Sequence, residues 1–413
     1  MHILFLTHYF HPEVNAPASR TYENAKRWVA MSHRVTVITC APNHPNGVLY
    51  PGYRNRWAQW ETIDGIRVLR VRTYLSANKG TVRRILNYVS YMVSAMGFSL
   101  LTGKVDLVVS TSPQFFSGAA GYGVSRLKRK PWVLEIRDLW PESIIAVGAL
   151  RNRRIIGLLE AIETFLYRHA DHVVALTEAF KRHIAARGVP KKNISVITNG
   201  ADLTRFSPQA RNNDFRSSHG LTEKCILSYV GTHGMAHGLD TVLRAAERLR
   251  NREDILFLLV GDGAERERLL AEKETMGLDN VLMLAQQPKE NMPGIIGASD
   301  ACMVLLKDTS LFRTVIPSKI FEDMAMARPI VMGVKGESRE IVEKGRCGLC
   351  IDPENDRQLA AAAVRIADEP DLGERLGRDG RQFVSTFYSR DVLAEAYLQT
   401  LERVQRSIAA AYE

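Results

Sequence analysis

The chain has 413 residues, of which 46% are hydrophobic and 24% are charged. This length exceeds what one hydrophobic core usually spans and indicates two domains, and the composition excludes a disordered, collagen-like or multi-span membrane protein. The net charge of +10 hides an asymmetry, because residues 1–200 carry 27 basic and 12 acidic side chains whereas the remainder carries 28 and 33. We therefore expect the first half to meet an anionic partner.

The N-terminus, the cysteines and one apolar stretch bear on the compartment. The opening MHILFLTHYF has no basic region and no cleavage site, so it predicts a buried strand rather than a signal peptide. Five cysteines do not make a disulfide scaffold. Residues 85–101 are apolar, follow Arg83 and Arg84 and precede Lys104. They predict either a buried helix that covers a sheet or a helix in the membrane interface, and both interpretations indicate a cytoplasmic protein.

Short β-branched segments alternate with helical patterns in the βαβ rhythm of a doubly wound parallel sheet. The predicted strands are residues 3–7, 35–39, 66–71, 107–110, 133–136, 173–176, 195–198, 225–230, 255–260, 281–284, 301–306 and 330–333. Predicted helices include residues 20–31 and 155–169. The rhythm pauses over the polar residues 199–213. The sequence thus predicts an α/β protein with two facing Rossmann-like domains, over residues 1–200 and 201–387, and a C-terminal helix over residues 388–413.

Two glycine-rich turns follow predicted strands of the second half. The first turn exposes backbone N–H groups beside a helix start, which suits a phosphate. Its residues that we expect to face a ligand are Gly231, Thr232, His233, Gly234 and His237. The two histidines are either phosphate ligands or packing residues, and Gly261 in the second turn is either a ligand contact or part of a tight turn. The spacing matches neither GxGxxG nor a P-loop, which disfavours simple dehydrogenases and mononucleotide kinases.

The stretch 313–329 (RTVIPSKIFEDMAMARP) is the most informative part of the chain. Pro317 suits the first position of a helix, and a second proline stops that helix two turns later. Backbone N–H groups near Ser318 and Lys319 would then be unpaired and available to an anion. Lys319 opposes the helix dipole, which an anionic ligand would relieve. Glu322 either accepts hydrogen bonds from vicinal hydroxyls such as those of ribose or simply favours the positive helix end.

Charged residues also leave a predicted strand in the first half, in the stretch 135–143 (EIRDLWPES). Such groups are costly at a buried strand end unless they are paired or used. Arg137 and Asp138 either pair structurally or, in the case of Asp138, face an acceptor hydroxyl. The loop after the first strand contains His8 and Asn15 and is long for a βα connection, and long loops at strand ends are often functional.

Several patterns argue against other chemistry. Cys347 and Cys350 form a lone CxxC without a second pair, which disfavours a zinc site. The sequence has no DxD pair for a metal-bound diphosphate and no GxSxG nucleophile elbow. Nothing resembles an RRM, a KH domain or a helix-turn-helix. We therefore expect no metal, no cofactor and no nucleic acid partner.

Together the motifs resemble the retaining glycosyltransferases of the glycogen synthase-like family 4, over nearly the whole chain. The matching stretches are HILFLTHYFHPE, EIRDLWPES, NGADLTRFSP, VGDG and PSKIFEDMA. The resemblance implies the GT-B fold, with the acceptor in residues 1–200 and a nucleotide-sugar in residues 201–387, and transfer without metal and with retention of anomeric configuration. It is closest to a branch that transfers N-acetylated deoxyamino sugars, such as N-acetyl-fucosamine, in bacterial surface polysaccharide assembly.

The sequence departs from the family at two positions. The family often has two glutamates eight positions apart, and here the first falls on Thr314, so that Glu322 alone remains, with the ribose role. The lysine that many members place in the first glycine-rich turn is His237. We hypothesise that Lys319 and Arg313 supply the missing positive charge to the diphosphate.

The sequence thus predicts a membrane-peripheral glycosyltransferase at the inner face of the cytoplasmic membrane. It would move a hexosyl or N-acetylhexosaminyl group from a UDP-sugar, a substrate rather than a cofactor, to a lipid-linked or lipopolysaccharide acceptor, for example in O-antigen synthesis. The alternatives are a nucleotide-sugar epimerase of the same architecture and a non-catalytic nucleotide-sugar-binding subunit. The expected catalytic residues are Asp138, Lys319 and Glu322. The expected donor-binding residues are Gly231, Thr232, His233, Gly234, His237, Gly261, Arg313, Ser318, Lys319 and Glu322. The expected acceptor-side residues are His8, Asn15, Arg137 and Asp138.

Overall fold

The structure is a computed structural model that describes residues 1–77, 81–112, 115–142, 145 and 152–412. Ser143, part of the predicted stretch 135–143, lies outside these residues. The chain divides into two compact units, one comprising Met1–Thr198 and Leu393–Glu413 and the other Asn199–Val392. The C-terminal residues, which the sequence set apart as a helix over 388–413, are therefore grouped with the first unit from Leu393 onward.

The first unit is built on a mostly parallel sheet. Its strands are β1 His2–Leu6, β2 Arg34–Cys40, β3 Ala58–Ile63, β4 Ile66–Val71, β5 Leu107–Thr111, β6 Trp132–Ile136, β7 His172–Ala175 and β8 Ile194–Val196. Over the described residues, the sheet order is β3-β4-β2-β1-β5-β6-β7-β8. In register, Ile3 of β1 lies opposite Val35 of β2 and Leu107 of β5. Successive strands are therefore added first on one side of β1 and then, from β5 onward, on the other. Open α/β sheets commonly bind ligands at such a reversal.

Helices cover both faces of this sheet. They are α1 Ala16–Ala30, α2 Thr81–Phe98, α3 Phe115–Lys128, α4 Arg153–His169, α5 Glu178–Ala186 and, at the end of the chain, α14 Arg390–Tyr412. Ile3 and Phe5 point to one face, where Trp28 of α1 and Tyr397 of α14 share their apolar cluster. The alternate strand residues, with α2, α3 and α4, form a second cluster on the other face. The inner strands are buried on both sides, which explains why they read as continuous apolar runs.

The second unit repeats the design with a fully parallel sheet. Its strands are β9 Cys225–Val230, β10 Ile255–Val260, β11 Val281–Leu284, β12 Ala301–Leu305, β13 Ile330–Gly333 and β14 Gly348–Cys350. Its helices are α6 Asp214–Ser218, α7 Asp240–Arg248, α8 Arg266–Met276, α9 Met292–Gly297, α10 Lys319–Ala325, α11 Glu337–Lys344, α12 Asp356–Asp368 and α13 Pro370–Phe387. The sheet order among the described residues is β11-β10-β9-β12-β13-β14. The direction of winding therefore reverses between β9 and β12.

All twelve predicted strands are present, with ends that differ by at most two residues. The sequence missed β3 and β14. β3 is a half-exposed edge strand, paired antiparallel with β4, and β14 has only three residues. Neither has the long buried run that marks the other strands, so the apolar pattern gave no signal for them.

Candidate functional site

The carboxyl ends of β9, β10 and β12 form the candidate donor site of the second unit. β9 is followed by the turn 231–238, and β10 by the turn 261–263. The winding reverses between β9 and β12, and open α/β sheets bind ligands outside the strand ends at such a reversal.

The two glycine-rich turns pack directly on each other through their backbones. The N–H of Gly231 donates to the carbonyl of Val260 (2.9 Å), and the N–H of His233 donates to the carbonyl of Asp262 (2.8 Å). A Cβ added to Gly261 would lie 1.8 Å from the carbonyl oxygen of Gly231. Any side chain at Gly261 would therefore separate the turns, which explains this glycine by backbone packing.

The two histidines of the first turn are held neutral at pH 7. The ring of His233 is fully buried, and burial, reinforced by the charge of Arg266, lowers its pKa to about 4. Neither ring nitrogen of His233 has a hydrogen-bond partner among the described residues. Burial also lowers the pKa of His237, and the nearby charge of Lys319 acts in the same direction. Neither imidazole can supply a full positive charge here without a ligand that compensates for its burial.

Lys319 places its ammonium group at the carboxyl end of β9. Its Nζ lies 3.7 Å from the ring centroid of Tyr229, and a Cβ added to Gly231 would lie 2.9 Å from that Nζ. Glycine at 231 thus leaves the room that the ammonium group occupies. Burial lowers the pKa of Lys319, and the carboxylates of Asp323 and Glu322 oppose this shift. The Tyr229 hydroxyl donates to the carbonyl of Thr232 (2.9 Å), which fixes the ring beneath the ammonium group.

Lys319 is also the first residue of α10, so the predicted helix start at Pro317 was two residues too early. The Ile320 N–H donates to the carbonyl of Pro317 (3.2 Å), and the Phe321 N–H donates to the carbonyl of Ser318 (3.2 Å). These bonds span three residues rather than four, so the chain enters the helix through a tight turn. The N–H groups of Ser318 and Lys319 have no acceptor within the described part of the chain. The helix ends at Ala325 because Ala327 has a φ of 54°, four residues before the place that the second proline suggested.

The two carboxyl groups of α10 differ in their surroundings. Burial raises the pKa of Glu322, while the charges of Arg390, Arg205 and Lys319 oppose this shift. Asp323 is 5% exposed, and burial raises its pKa against the charge of Lys319. The sequence gave no role to Asp323. Its i,i+4 spacing from Lys319 was the available signal, because such residues lie on the same side of a helix.

Other predicted donor-binding residues lie apart from the Lys319 ammonium group or make contacts within the protein. Arg313 pairs with Asp308 (2.8 Å), whose other carboxylate oxygen lies 2.8 Å from the Lys335 Nζ. The Ser318 hydroxyl accepts a hydrogen bond from the Asn199 side chain (3.1 Å). Gly234 lies beside His237, because a Cβ added there would be 3.6 Å from that ring. The structure therefore brings Gly231, Lys319 and His237 together around Tyr229, and it places Arg313 in a separate ion cluster.

In the first unit, Asn15 and Arg137 meet at the start of α1. The Asn15 side chain caps this helix by accepting the N–H of Ala18 (2.9 Å), which moves the helix start four residues ahead of the predicted residue 20. Arg137 donates to the carbonyl of Ala16 (3.2 Å). The buried Nδ2 of Asn15 and the buried Nε and Nη1 of Arg137 have no partner in the part of the chain that the structure describes. Burial lowers the pKa of Arg137 to about 10.

Beneath these residues lies an ion pair that sequence reasoning did not identify. Arg20 of α1 pairs with the buried Glu135 of β6 (2.9 Å) and donates to the carbonyls of Ile197 and Thr198. The pair connects α1, β6 and the chain after β8. Glu135, the first charged residue of the stretch 135–143, is therefore paired structurally.

His8 follows β1 in an aromatic environment. Its ring makes edge contacts with Tyr9, Tyr88 and Tyr91, at centroid distances of 5.0, 5.5 and 5.1 Å. Burial lowers its pKa to about 3, so the ring is neutral at pH 7. His8 can donate or accept one hydrogen bond as a neutral imidazole, but it cannot attract an anion by charge.

Asp138 lines a slot between α3 and α4 of the first unit. The slot has aromatic walls, since the rings of Phe115 and Trp140 lie 6.0 Å apart between centroids. Its floor carries the buried Glu163, whose Oε1 accepts from the Tyr167 hydroxyl (2.6 Å). Among the described residues, no group of three or more His, Cys, Asp or Glu side chains could hold a metal ion.

Comparison with known proteins decides the family. Residues 15–200 match the family model "Glycosyl transferase 4-like domain", and residues 211–383 match "Glycosyl transferases group 1". The chain belongs to the glycosyltransferases. This glycosyltransferase is 25% identical over 364 residues to WcaI of Escherichia coli (strain K12), described as a colanic acid biosynthesis glycosyl transferase, across 85% of this chain and 88% of that protein.

Solved structures share the fold of this glycosyltransferase. The sucrose-phosphate synthase of Thermosynechococcus elongatus has a TM-score of 0.74 with 19% identity, over 99% of each chain. HepE of Anabaena, in complex with UDP, has a TM-score of 0.72 with 16% identity, over 98% of this chain and 100% of that one. These likenesses confirm the predicted two-domain α/β fold of the GT-B class.

Proposed function

We propose that this glycosyltransferase transfers a sugar from a UDP-sugar held by the second unit to a hydroxyl of a lipid-linked or lipopolysaccharide acceptor held by the first. The relatives support this choice. The description of WcaI places it in colanic acid biosynthesis. LpsD of Rhizobium meliloti is 26% identical over 238 residues, and its description places it in lipopolysaccharide core biosynthesis. HepE has been solved with UDP and with UDP-glucose. The donor sugar of the proposal is a hexosyl or N-acetylhexosaminyl group, with an N-acetylated deoxyamino sugar as the first candidate.

The observation that carries the proposal is the position of the Lys319 ammonium group. It lies against Gly231 and Tyr229 at the carboxyl end of β9, and its pKa is lowered by burial. An ammonium group whose charge is disfavoured by burial, even with Asp323 and Glu322 nearby, gains from an anionic ligand, because the ligand offsets the lost hydration. In the proposal that ligand is the diphosphate of the donor, and the N–H groups of Ser318 and Lys319 bind the same anion.

The proposed reaction needs no metal and no strong protein base. The bond between the anomeric carbon and the diphosphate oxygen breaks while the bond to the acceptor oxygen forms on the same face of the sugar. The proton of the acceptor hydroxyl passes to the departing diphosphate. Because the new bond forms on the face that the diphosphate leaves, the anomeric configuration is retained. Lys319 stabilises the charge that develops on the diphosphate. Glu322 binds the ribose hydroxyls, and Asp138 orients the acceptor rather than deprotonating it.

The test compares Lys319→Ala with Lys335→Ala. Lys335 is a matched control, because it is a lysine of the same unit that pairs with Asp308. We expect kcat/KM for the UDP-sugar to fall about 100-fold in Lys319→Ala, the usual effect of removing one group that stabilises developing charge, and to change little in Lys335→Ala. Urea unfolding of both variants separates a loss of function from a loss of folding.

Equal losses in the two variants would contradict the assignment of Lys319. Incubation of the wild-type protein with donor alone tests the first alternative, since an epimerase forms the epimer without acceptor. Addition of a lipid-linked acceptor tests the second, since a binding subunit leaves the nucleotide-sugar intact even then. Membrane association and the cytoplasmic location are further parts of the proposal.

A further inference from the structure

The outer surface of α2, α3 and α4 in the first unit is unusually apolar. All three helices pack their inner sides on the same side of the sheet, through residues such as Tyr91, Val124 and Leu166. Their outer sides and the turn after α2 carry large apolar residues that are 50–63% exposed in the whole chain. We call this surface the α2–α4 face and define it by Leu86, Val93, Leu100, Leu101, Leu127 and Leu158.

α2 shows how unusual the surface is. The segment Arg83–Thr102 is long and apolar enough to cross a membrane by length and composition alone, with a mean hydropathy of 1.3, yet only 28% of it is buried. The Tyr91 hydroxyl nevertheless donates to the carbonyl of Ile38 in β2 (2.8 Å), so α2 belongs to the folded unit and does not span a bilayer. Leu86 and Val93 lie two turns apart on the same side of α2, and Leu100 follows after seven more residues. These three exposed residues mark an apolar stripe along the outside.

Basic residues far outnumber acidic ones on the helices that form this face. Residues 81–104, 115–130 and 153–169 together contain ten Lys and Arg and two Asp and Glu, and one of these two, Glu163, is buried. The Lys128 Nζ donates to the carbonyl of Gly103 (2.9 Å), which holds the end of α3 beside the turn Ser99–Thr102. Arg129 and Lys130 follow directly. Exposed cations and exposed leucines thus occur side by side at this end of the face.

We propose that the α2–α4 face docks on an anionic lipid bilayer. Leucines of the face enter the boundary between headgroups and acyl chains, and the flanking Arg and Lys side chains contact lipid phosphates, as in helices that lie in a membrane interface. The occupant is argued from charge, because a surface that is both apolar and almost free of acidic groups complements a negative membrane and repels a second copy of itself. The proposal rests only on this surface and holds whichever sugar is transferred.

The test uses flotation of the full-length protein with vesicles of phosphatidylcholine, with and without about 30% phosphatidylglycerol. The apolar variant is Leu100→Ser with Leu101→Ser, and the charge variant is Arg129→Glu with Lys130→Glu. The matched control is Val48→Ser with Trp57→Ser, because both residues are at least 66% exposed in the same unit but lie outside the face. Thermal unfolding and UDP binding of each variant report on the integrity of the fold and of the proposed donor site.

We expect the wild type and the control to float with anionic vesicles and to float at least tenfold less with neutral ones. The partition of both face variants onto anionic vesicles should be at least tenfold lower than that of the wild type, while their UDP binding is unchanged. Anionic binding that is unaffected in both face variants would overturn the proposal, as would a wild type that does not float. So would a concentration-dependent dimer that is lost in the leucine variant without any vesicle binding, because the face would then join two copies of this chain.

Discussion

Glu163 is a buried carboxyl group that the sequence did not single out. It is 3% exposed on the inner side of α4, and burial, with repulsion from Glu142 and Glu160, raises its pKa from 4.5 to about 7. The hydrogen bond from Tyr167 and the nearby charge of Arg187 oppose this shift. At neutral pH the group is therefore balanced between its two protonation states, on the floor of the slot that Asp138 also lines.

This raised pKa predicts a pH dependence of stability. The folded protein holds the Glu163 proton up to about pH 7, whereas the unfolded chain releases it near pH 4.5. The stabilisation that this proton contributes is fully present below pH 4.5 and is lost as the pH rises through 7. The free energy of unfolding therefore falls over this range by on the order of 1–3 kcal/mol. Glu163→Gln should remove this loss, so that its free energy of unfolding in urea exceeds that of the wild type at pH 8 but not at pH 5.

Glu160→Gln is the control for this measurement, since Glu160 lies on the same helix with its side chain 37% exposed. Because the Glu160 charge is the smaller of the two repulsions that raise the Glu163 pKa, Glu160→Gln should reduce the difference in stability between pH 5 and pH 8 only slightly. A Glu163→Gln variant with the same pH slope as the wild type would show that this carboxyl group is ionised throughout.

At the residue scale, sequence reasoning identified charged groups at predicted strand and helix ends but not their partners. Lys319 and Glu322 could be selected because a proline marked the coming helix. The pairing of Arg20 with Glu135 depends on where separate elements meet in space. Arg313 pairs with Asp308 five residues earlier in the same connection, but the sequence did not show how that connection folds back. Glu163 reads as an ordinary polar residue of an amphipathic helix, and only the packing of α4 on the sheet shows that it is buried.

At the scale of elements, the start of α1 combines two roles in one side chain. The Asn15 Oδ1 caps the helix, while its Nδ2 is buried without a partner among the described residues, next to the similarly unpaired nitrogens of Arg137. A cap needs only the oxygen, so the amide nitrogen can donate to a ligand, which in the proposed function is the acceptor. This loop was predicted to be functional from its length, but the length does not reveal the cap.

Two substitutions of Asn15 separate these roles. Asn15→Ala removes both groups and should lower the free energy of unfolding by about 1 kcal/mol, the usual value of an N-cap. Asn15→Asp keeps the capping oxygen and should unfold like the wild type. We expect both variants to lose about tenfold in kcat/KM for the acceptor, the effect of one hydrogen bond, as measured by initial rates at saturating UDP-sugar. Full activity of Asn15→Asp would assign this residue to the helix cap alone.

At the scale of the whole molecule, the repeated βαβ pattern allowed the fold to be predicted, because parallel strands buried on both faces leave continuous apolar runs in the sequence. The charge asymmetry between the halves was also readable, and much of it lies on the helices of the α2–α4 face. The division of the chain was less accessible, since nothing in the sequence indicated that the last helix belongs with the first strands.

The proposed donor site predicts a local response to UDP. At 100-fold its Kd, a ligand that binds only the folded state stabilises it by about 2.7 kcal/mol. In hydrogen exchange followed by mass spectrometry, saturating UDP should slow exchange in residues 231–238 and 261–263 far more than in residues 2–71. The Lys319→Ala variant should show a smaller effect at the same UDP concentration. Equal protection of both regions would contradict a donor site confined to the second unit.

The closing helix α14 has a consequence for biosynthesis. Ala394 accepts a hydrogen bond from the Trp28 indole (2.9 Å), and the Tyr397 ring lies 5.2 Å from the Trp28 ring. The ribosome delivers Trp28 long before Tyr397, so one side of the N-terminal sheet must wait for its cover until the whole intervening unit, Asn199–Val392, has been translated. The intervening unit, contiguous in sequence, can complete its own core first. Expression of residues 1–198 alone would therefore produce a half-covered sheet, which a fused copy of residues 393–412 should repair.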